Sequence, residues 1–578
     1  MKKNLFFGVL FAAGMLMTAC SSGSDDVVQE PNLNNKFDAQ GNAYINIAVN
    51  LPTTSGGSTR ANGEFDDGSA AEFDVKDAVL ILFKGSNESD ATFNGAYSLP
   101  TEKIKQTVSN TQISDRLVYA QQINKGENAI SGSDHIYAFV VVNTNGKFTV
   151  TTDRGLTVKA QDGDKVMATN TTTFTTFKSY ALNVIGDLTT NGLLMTNPPL
   201  STKGGLTDPT GAQIRWMPEL TADHIYNSME EAYAGNKYVE IYVERAAAKI
   251  NLSVPSGTST GLTTDNGVTY DPSGIKWEVQ NYNSSYYLAR HASTTYLPYT
   301  SGLLTSTFYR FLEKTAIDPT MDTNHYRITW AEDVNYTSGT PENVPTTGTQ
   351  ATFSKTTSDV VYLAENTVDQ NSLMPEYTTR VVLAVPFNGG TSFYTSSLGG
   401  ADEIFSVDEM KDKVKEVITN QYHKTATAIT FNNADNGVAT VSEITLSDGD
   451  ATEAATIASS INSSVQFSYY LNGMAYYKVL IRHFNDDETP LRSATDISGS
   501  SYDDVYPTDN RAQNYLGRYS VVRNNWYNIV LDGIKHIGKP SVPVINTAAG
   551  TPDDEIDAYL KVRINILSWG LRTQHVTL

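Results

Sequence analysis

Strict alternation of apolar and polar residues is the feature that most narrows the folds open to this chain. In the run 43–51, aliphatic side chains share one parity and smaller or polar ones the other: Ile45, Ile47, Val49 and Leu51 against Asn46, Ala48 and Asn50. Because neighbouring side chains of a β-strand point to opposite faces of a sheet, this run predicts a half-buried strand.

A matching alternation lies at the C-terminus, where Lys561, Arg563 and Asn565 separate four aliphatic residues: Leu560, Val562, Ile564 and Ile566. The phase then slips, so that Trp569 and Leu571 fall on the opposite parity. The slip predicts two strand pieces joined by a bend or bulge at 568–570. Strands of equal periodicity can occupy one groove in turn, or both can be ordinary edge strands of a monomer.

The rest of the chain also favours β-structure. It holds 32 Tyr and 21 Phe, and aromatic residues suit pleated, half-buried surfaces. Nearly continuous apolar runs at Val75–Lys84 and His135–Asn143 are typical of central strands. One helix is predicted, because Ser406 and Glu409 form a capping-box pattern at the start of an apolar stripe.

The N-terminus has the pattern of a targeting segment. Lys2 and Lys3 precede the apolar run Leu5–Met17, which is too short to span a bilayer as a helix. Met-Thr-Ala then leads to Cys20, the only cysteine of the chain, as in a lipobox. We expect a lipoprotein signal peptide at 1–19, acylation of Cys20 and a flexible tether at 20–42. The alternative is an ordinary signal peptide with an incidental cysteine.

Charge and cysteine content limit the partners and the stabilising chemistry. The formal net charge is -21 and the isoelectric point is about 4.8, so the chain repels nucleic acid and anionic lipid headgroups. With a single cysteine it forms no internal disulfide. Its stability therefore depends on burial of apolar groups and on backbone pairing.

A polar segment rich in Ser, Thr, Gly and Asp follows the first predicted strand, and Arg60 lies within it. Exposed loops of small polar residues are the preferred sites of proteolytic cleavage. We expect an Arg-specific protease to cut between Arg60 and Ala61. The cut would also separate the lipid on Cys20 from the fold.

Catalytic motifs are absent from the sequence. No Gly-rich phosphate loop and no His-Glu-x-x-His occurs, and the run Gly257–Gly261 matches a nucleophile elbow only inside a Thr/Ser/Gly-rich segment. The 63 acidic residues offer many carboxylate pairs, but no feature nominates one for glycoside hydrolysis. The histidines lack metal-ligand spacing. We therefore predict no enzyme, no cofactor and no metal site.

Several motifs, in their order along the chain, resemble the Mfa-type major fimbrillins of Bacteroidetes, within the wider fimbrillin superfamily. They are Asn50-Leu51-Pro52 followed by Arg60, Val243–Ala247, Lys276–Val279 with Tyr286–Leu288, Gly473–Tyr477 with Ile481–His483, Arg518–Ile529, and a terminal segment carrying Trp569. The stretches Thr315–Thr357 and Thr425–Ser460 depart from the pattern.

The resemblance implies a mainly β fold with two transthyretin-like β-sandwich domains in tandem, few short helices and a C-terminal donor-strand segment. The corresponding ranges are 43–255 and 256–538 for the two domains, and 539–578 for the linker and donor strands. It also implies a shaft subunit of a surface fimbria that supports adhesion and biofilm formation. Such a subunit is exported to the outer membrane as a lipoprotein, cleaved by the protease and polymerised by donor-strand exchange.

In that mechanism the aliphatic residues of the C-terminal strand refill the groove that the first strand vacates, and Trp569 and Leu571 pack beyond the bend. The implied partners are copies of the chain itself and accessory tip and anchor subunits, with no nucleic acid. Three alternatives remain open. They are a monomeric glycan-binding surface lipoprotein, a fimbrial tip or anchor subunit, and a secreted hydrolase.

Overall fold

The computed structural model describes residues 33–52, 69–72, 74–100, 104–107, 113–126, 134–183, 192–204, 212–254, 262–292, 310–313, 316–317, 325–336, 348, 351–369, 372–484, 489, 515–545, 560–567 and 572–577. The last two segments are described by their backbone pairing. Within these residues the α-helices are α1 (Phe174–Lys178), α2 (Met229–Ala234), α3 (Val407–Tyr422) and α4 (Ala451–Ser464). Short 3-10 helices lie at Leu33–Lys36, Ala70–Glu72, Ala222–His224, Pro272–Gly274, Asn388–Gly390 and Leu471–Gly473.

The strands of the first half are β1 (Asn42–Pro52), β2 (Ala78–Gly85), β3 (Thr92–Ser98), β4 (Ile104–Thr107), β5 (Ile113–Asn124), β6 (His135–Val142), β7 (Phe148–Val150), β8 (Leu156–Ala160), β9 (Gly163–Val166), β10 (Ala181–Asn183), β11 (Met195–Thr196), β12 (Leu200–Ser201), β13 (Ile214–Arg215), β14 (Glu219–Leu220), β15 (Ile225–Tyr226), β16 (Val239–Tyr242), β17 (Glu244–Arg245) and β18 (Ala248–Ser253).

The strands of the second half are β19 (Leu262–Thr263), β20 (Thr269–Tyr270), β21 (Lys276–Gln280), β22 (Ser285–Tyr287), β23 (Tyr326–Arg327), β24 (Val360–Leu363), β25 (Arg380–Pro386), β26 (Phe393–Ser396), β27 (Ala426–Asn433), β28 (Val438–Leu446), β29 (Phe467–Tyr470), β30 (Met474–Leu480), β31 (Trp526–Ile534), β32 (Leu560–Leu567) and β33 (Arg572–Thr577). The prediction of a mainly β fold is confirmed.

Two sheets form a sandwich in the first half. One has the order β15-β1-β5-β4, with β16 also paired to β1, and the other has the order β17-β11-β6-β2-β3. Their inner faces share one apolar core, in which Ile47, Tyr119, Leu80 and Val140 are buried. The outer face of the second sheet is covered by a further cluster around Phe139. Both faces of β2 and β6 are therefore buried, as their continuous apolar runs predict.

A second sandwich follows. The sheet β24-β18-β31-β32-β33 faces the sheet β21-β25-β30, and Ile250, Trp277, Leu383, Tyr477 and Ile529 are buried in the core that they share. β18 pairs with β24 and β31. The second sandwich therefore begins at Ala248, a few residues before the predicted domain boundary at 255/256. The remaining described strands form small sheets: β7-β8-β9, β10-β22, β13-β12-β23 and β19-β20.

A third unit is inserted between β25 and β30. Helices α3 and α4 pack on the sheet β26-β29-β28-β27. The predicted capping box is present, with Ser406 accepting from the Glu409 amide and the Glu409 side chain accepting from the Ser406 amide. The second helix of this unit, α4, is capped by Asp450 and was not anticipated from the sequence. Among the described residues, no helix is long and apolar enough to cross a bilayer.

Candidate assembly site

The first strand, β1, lies in the interior of its sheet. It runs antiparallel to β5 from Asn42 opposite Asn124 to Asn50 opposite Arg116. Its other edge pairs first with β15 and then, in parallel, with β16. Removing β1 would therefore leave a slot lined by two strand edges with unpaired backbone groups.

The inner face of β1 fills the core of the first sandwich. Its four predicted anchor residues are at most 2% exposed and pack in the same apolar cluster: Ile45, Ile47, Val49 and Leu51. This placement agrees with the face that the alternation assigns to them. Fully burying each such side chain stabilises a fold by roughly 1.5–3 kcal/mol.

The outer face of β1 is buried as well, so the expectation of a half-buried strand is wrong. The Asn46 side chain donates to the carbonyl of Ala232 on α2 at 2.7 Å. The Asn50 side chain donates to Glu240 at 2.8 Å and accepts from Arg116 at 3.0 Å. These hydrogen bonds satisfy the Asn50 amide and the amino group of Asn46, which would otherwise be costly to bury, and leave the Asn46 Oδ1 buried without a partner among the described residues.

The predicted processing sites, Cys20, Arg60 and Ala61, lie outside the described residues. We call 53–68, the segment with the predicted cleavage site, the processing loop. The residues that follow it, 69–72, are described and are held by several contacts. Glu72 is 1% exposed and forms an ion pair with Lys249 of β18 at 2.7 Å. It also accepts from the Tyr362 hydroxyl of β24 at 2.5 Å, and its carbonyl accepts from Arg245 at 3.0 Å. We call these four residues the Glu72 clamp.

The clamp joins the first sandwich to the second. Glu72 directly precedes the segment that leads into β2, whereas Lys249 and Tyr362 belong to the sheet of the second sandwich. The Lys249 ammonium also lies 3.6 Å from the centre of the Trp526 ring at the start of β31. A cation over an aromatic face in a buried site adds to the attraction.

The C-terminal segment forms two strand pieces, as predicted. β32 pairs antiparallel with β31, with Val530 opposite Arg563, and β33 folds back on β32. The predicted donor residues Leu560, Val562, Ile564 and Ile566 lie on β32, while Trp569 and Leu571 lie outside the described residues. In this state the segment pairs within its own chain, and its transfer to another subunit stays a prediction.

The first part of the predicted linker is docked. Lys539 and Tyr476 exchange backbone hydrogen bonds of 2.8 and 3.0 Å, and Arg380 donates to the carbonyl of Pro543 at 2.7 Å. Val542 is buried against Val382 in an apolar cluster on the outer face of the sheet β21-β25-β30. The described part of the linker, 539–545, is therefore held against the second sandwich.

Buried charges connect the two sandwiches. Arg290 donates to Glu244 at 2.9 Å, and Arg523 donates to Glu365 at 2.8 Å. Arg290 and Glu365 approach to 4.0 Å, which joins the two pairs. Two of these residues, Glu244 and Arg523, fall in motifs that carry the fimbrillin resemblance. The sequence did not predict that these two residues form ion pairs, because the partner of each, Arg290 and Glu365, is distant in sequence.

A buried carboxyl lies next to this cluster. Asp333 is 3% exposed and accepts from the amides of Thr367 and Asn335 and from the Asn283 side chain, at 2.7–2.9 Å. Burial raises the pKa of Asp333 to about 7 although these donors favour the carboxylate. Within the described residues no group of three or more His, Cys, Asp or Glu can hold a metal ion.

Residues 502–575 match the family described as Major fimbrial subunit protein type IV, Fimbrillin, C-terminal. This match confirms the predicted resemblance to fimbrillins. It supports a fimbrial subunit at the cell surface, with a structural rather than an enzymatic role. No curated protein matches the chain.

Several solved structures align with most of the chain at low identity and low TM-score. A fimbrilin (FimA) from Porphyromonas gingivalis is 11% identical with a TM-score of 0.31, and the match covers 90% of this chain and 98% of that one. A candidate cell adhesion protein from Parabacteroides distasonis is 12% identical with a TM-score of 0.34, covering 92% and 98%. The tip protein Mfa3 from P. gingivalis is 9% identical with a TM-score of 0.26, covering 91% and 100%.

Proposed function

We propose that this chain, which carries the fimbrillin C-terminal segment, is a shaft subunit of a surface fimbria. It is exported as an outer-membrane lipoprotein acylated at Cys20, cleaved after Arg60 by an Arg-specific protease, and polymerised by strand exchange. The position of β1 carries the proposal. β1 precedes the processing loop, so a cut there leaves it attached to the domain by non-covalent contacts alone.

The free energy of the first sandwich strongly favours a strand in the slot that β1 leaves. The inner face of β1 contributes four buried aliphatic residues, which together stabilise the sandwich by roughly 6–12 kcal/mol. An empty slot would lose this burial and expose the edges of β5 and β16. A strand with the same alternation restores both, and β32 supplies it from a second copy of the chain.

The backbone hydrogen bonds are nearly conserved in the exchange. Releasing β32 breaks its ladders with β31 and β33, and entry into the slot forms ladders with β5 and β16. Since each backbone hydrogen bond contributes only about 1 kcal/mol net, these terms largely cancel. Apolar burial in the slot therefore decides the direction of the exchange.

The chain is long enough for the transfer. The described part of the docked linker extends to Ile545, and β32 begins at Leu560. An extended chain gains at most ~3.3–3.6 Å per residue, so this segment spans up to about 50 Å. That length allows the donor strand to leave its own sheet and reach the first sandwich of the next subunit while the linker stays docked.

Two cysteine pairs that share Arg563→Cys test the proposal. With Val530→Cys the pair lies at register partners of β31 and β32, so oxidation should hold subunits as monomers and reduction should restore polymerisation. With Val118→Cys, which lies opposite Ala48 of β1, polymers should become covalent ladders on non-reducing gels. Asn432→Cys with Thr440→Cys, register partners in the inserted unit, is the matched control and should leave assembly unchanged.

Two outcomes would contradict strand exchange. One is normal polymerisation of the oxidised Val530/Arg563 variant, since a locked β32 has no way to leave its sheet. The other is a Val118–Arg563 crosslink that forms inside a single chain. In either case the C-terminal hairpin is a permanent part of its own domain.

A further inference from the structure

A cavity of about 430 Å³ opens in the first sandwich beside β16. Its walls are formed by 238–242, 215–219 and 197–202, and by His224 and His325. Its volume falls in the ~300–1,000 Å³ range of small-ligand sites. β1 pairs with one edge of β16. The proposed strand exchange uses that edge and does not involve this cavity.

One part of the wall is apolar and rigid. Trp216 is 9% exposed, its indole donates to the Arg290 carbonyl at 2.8 Å, and the Lys178 ammonium lies 3.9 Å from the centre of the ring. Tyr242 is buried against Leu200 in a small apolar cluster. Aromatic side chains held in this way give this part of the wall a fixed apolar surface.

The other part of the wall presents hydrogen-bonding groups. His224 Nδ1 accepts from the Thr221 amide at 3.1 Å, and burial lowers the pKa of His224. The neutral ring therefore carries its proton on Nε2, which is a donor. Glu219 engages His135 through Oε1, and its Oε2 has no hydrogen-bond partner among the described residues.

Two further groups widen the choice of hydrogen bonds. The Tyr238 hydroxyl is both a donor and an acceptor, and Arg215 adds a guanidinium that donates to the Gln213 side chain at 2.9 Å. Glu240 of the wall pairs with Arg116 at 3.3 Å, and Glu219 contacts the His135 ring. Because Arg215 and Glu219 give the wall charges of opposite sign, a charged ligand would meet repulsion as well as attraction.

We propose that this cavity binds an uncharged carbohydrate of one or two rings. A sugar presents hydroxyl groups that donate and accept, which fit Glu219, His224 and Tyr238. It also presents apolar C–H faces, which fit the aromatic part of the wall. The site does not require polymerisation, and in a fimbria it would repeat once per subunit.

Saturation-transfer NMR and calorimetry on the full chain test the site, with methyl glycosides of glucose, galactose and N-acetylglucosamine as probes. At least one probe should bind. Glu219→Gln and Tyr238→Phe, which remove a charge and one hydroxyl, should each weaken binding about tenfold. Tyr233→Phe on the exposed side of α2 is the matched control and should bind like the native chain.

Thermal unfolding of each variant separates lost binding from lost folding. The assignment is overturned if no probe shows saturation transfer. It is also overturned if the Glu219 and Tyr238 variants, folded like the native chain, bind a probe as tightly as the control does. Both results are independent of whether the chain polymerises, so they leave the proposed shaft function to its own test.

Discussion

Replacing Glu72 with Gln removes the negative charge of the Glu72 clamp and keeps the size of the side chain. Lys249 is then left 5% exposed, beside Arg245, without the carboxylate that pairs with it at 2.7 Å. Removing one partner of a buried ion pair costs about 3–5 kcal/mol, because the remaining charge stays desolvated. We expect the contact between the processing-loop flank and β18 to weaken by this amount.

Native-state hydrogen exchange measured by mass spectrometry is the appropriate assay. A chain with several cores does not unfold in two states, whereas exchange reports the opening free energy of each segment. Peptides covering β18 and β24 should exchange faster by a factor that corresponds to the predicted loss. Peptides of the inserted unit, 405–467, should be unchanged.

A double-mutant cycle isolates the ion pair. Lys249→Met alone should also destabilise β18, and the double variant with Glu72→Gln should recover at least about 2 kcal/mol of the summed loss. Glu443→Gln, at an exposed position of β28, is the control and should stay within about 0.5 kcal/mol of the native chain. Unchanged exchange in β18, or strictly additive losses, would refute the clamp.

Four other predictions follow from the same structure and sequence. Arg60→Ala should leave lipidated precursor on the membrane and few fimbriae; normal fimbriae by electron microscopy would contradict the processing step. Deleting Tyr559–Leu578 should give a cleaved, folded subunit that stays monomeric in size-exclusion chromatography. Polymers should survive thiol reagents, because Cys20 is the only cysteine and the proposed cleavage would remove it; loss of polymer bands would count against this. Asp333, whose pKa is raised from 3.8 to about 7, contributes stability that is complete below pH 3.8 and lost as the pH rises through 7. Asp333→Asn should remove up to about 4 kcal/mol of this pH dependence, measured by thermal unfolding between pH 4 and 8.

The sequence was sufficient to locate β1 and its core face, but not to show that its other face is buried. Asn46 and Asn50 are polar, and polar residues on alternate positions ordinarily face water. Their partners, Ala232, Glu240 and Arg116, lie 66 to 190 residues away in the chain. No local pattern reports such distant hydrogen bonds. A strand that is buried on both faces therefore has the same sequence pattern as a strand that is buried on one.

Helix α4 is different, because a local signal for it exists. Asp450 accepts from the Glu453 amide as an N-cap, and Ala454, Ile457 and Ile461 recur at helical spacing on the buried face. The weakness of the signal lies in composition, since Ala, Thr and Ser dominate the exposed face. Gly449 has φ of 77°, so an Asp-Gly-Asp run that is typical of a turn also contains the N-cap residue of the helix.

The residues before and after the processing loop are held by different kinds of interaction. This difference determines which of the two pieces would leave the domain after a cut. Upstream, β1 is held mainly by backbone ladders and apolar burial, which a strand of the same alternation can replace, with added hydrogen bonds from Asn46 and Asn50. Downstream, Glu72 is held by a buried ion pair with Lys249 and by Tyr362, and no interchangeable strand can replace these contacts. If the loop 53–68 is cut as proposed, these contacts favour loss of the upstream piece, while β2 stays anchored to the second sandwich and one wall of the core remains in place for the proposed donor strand.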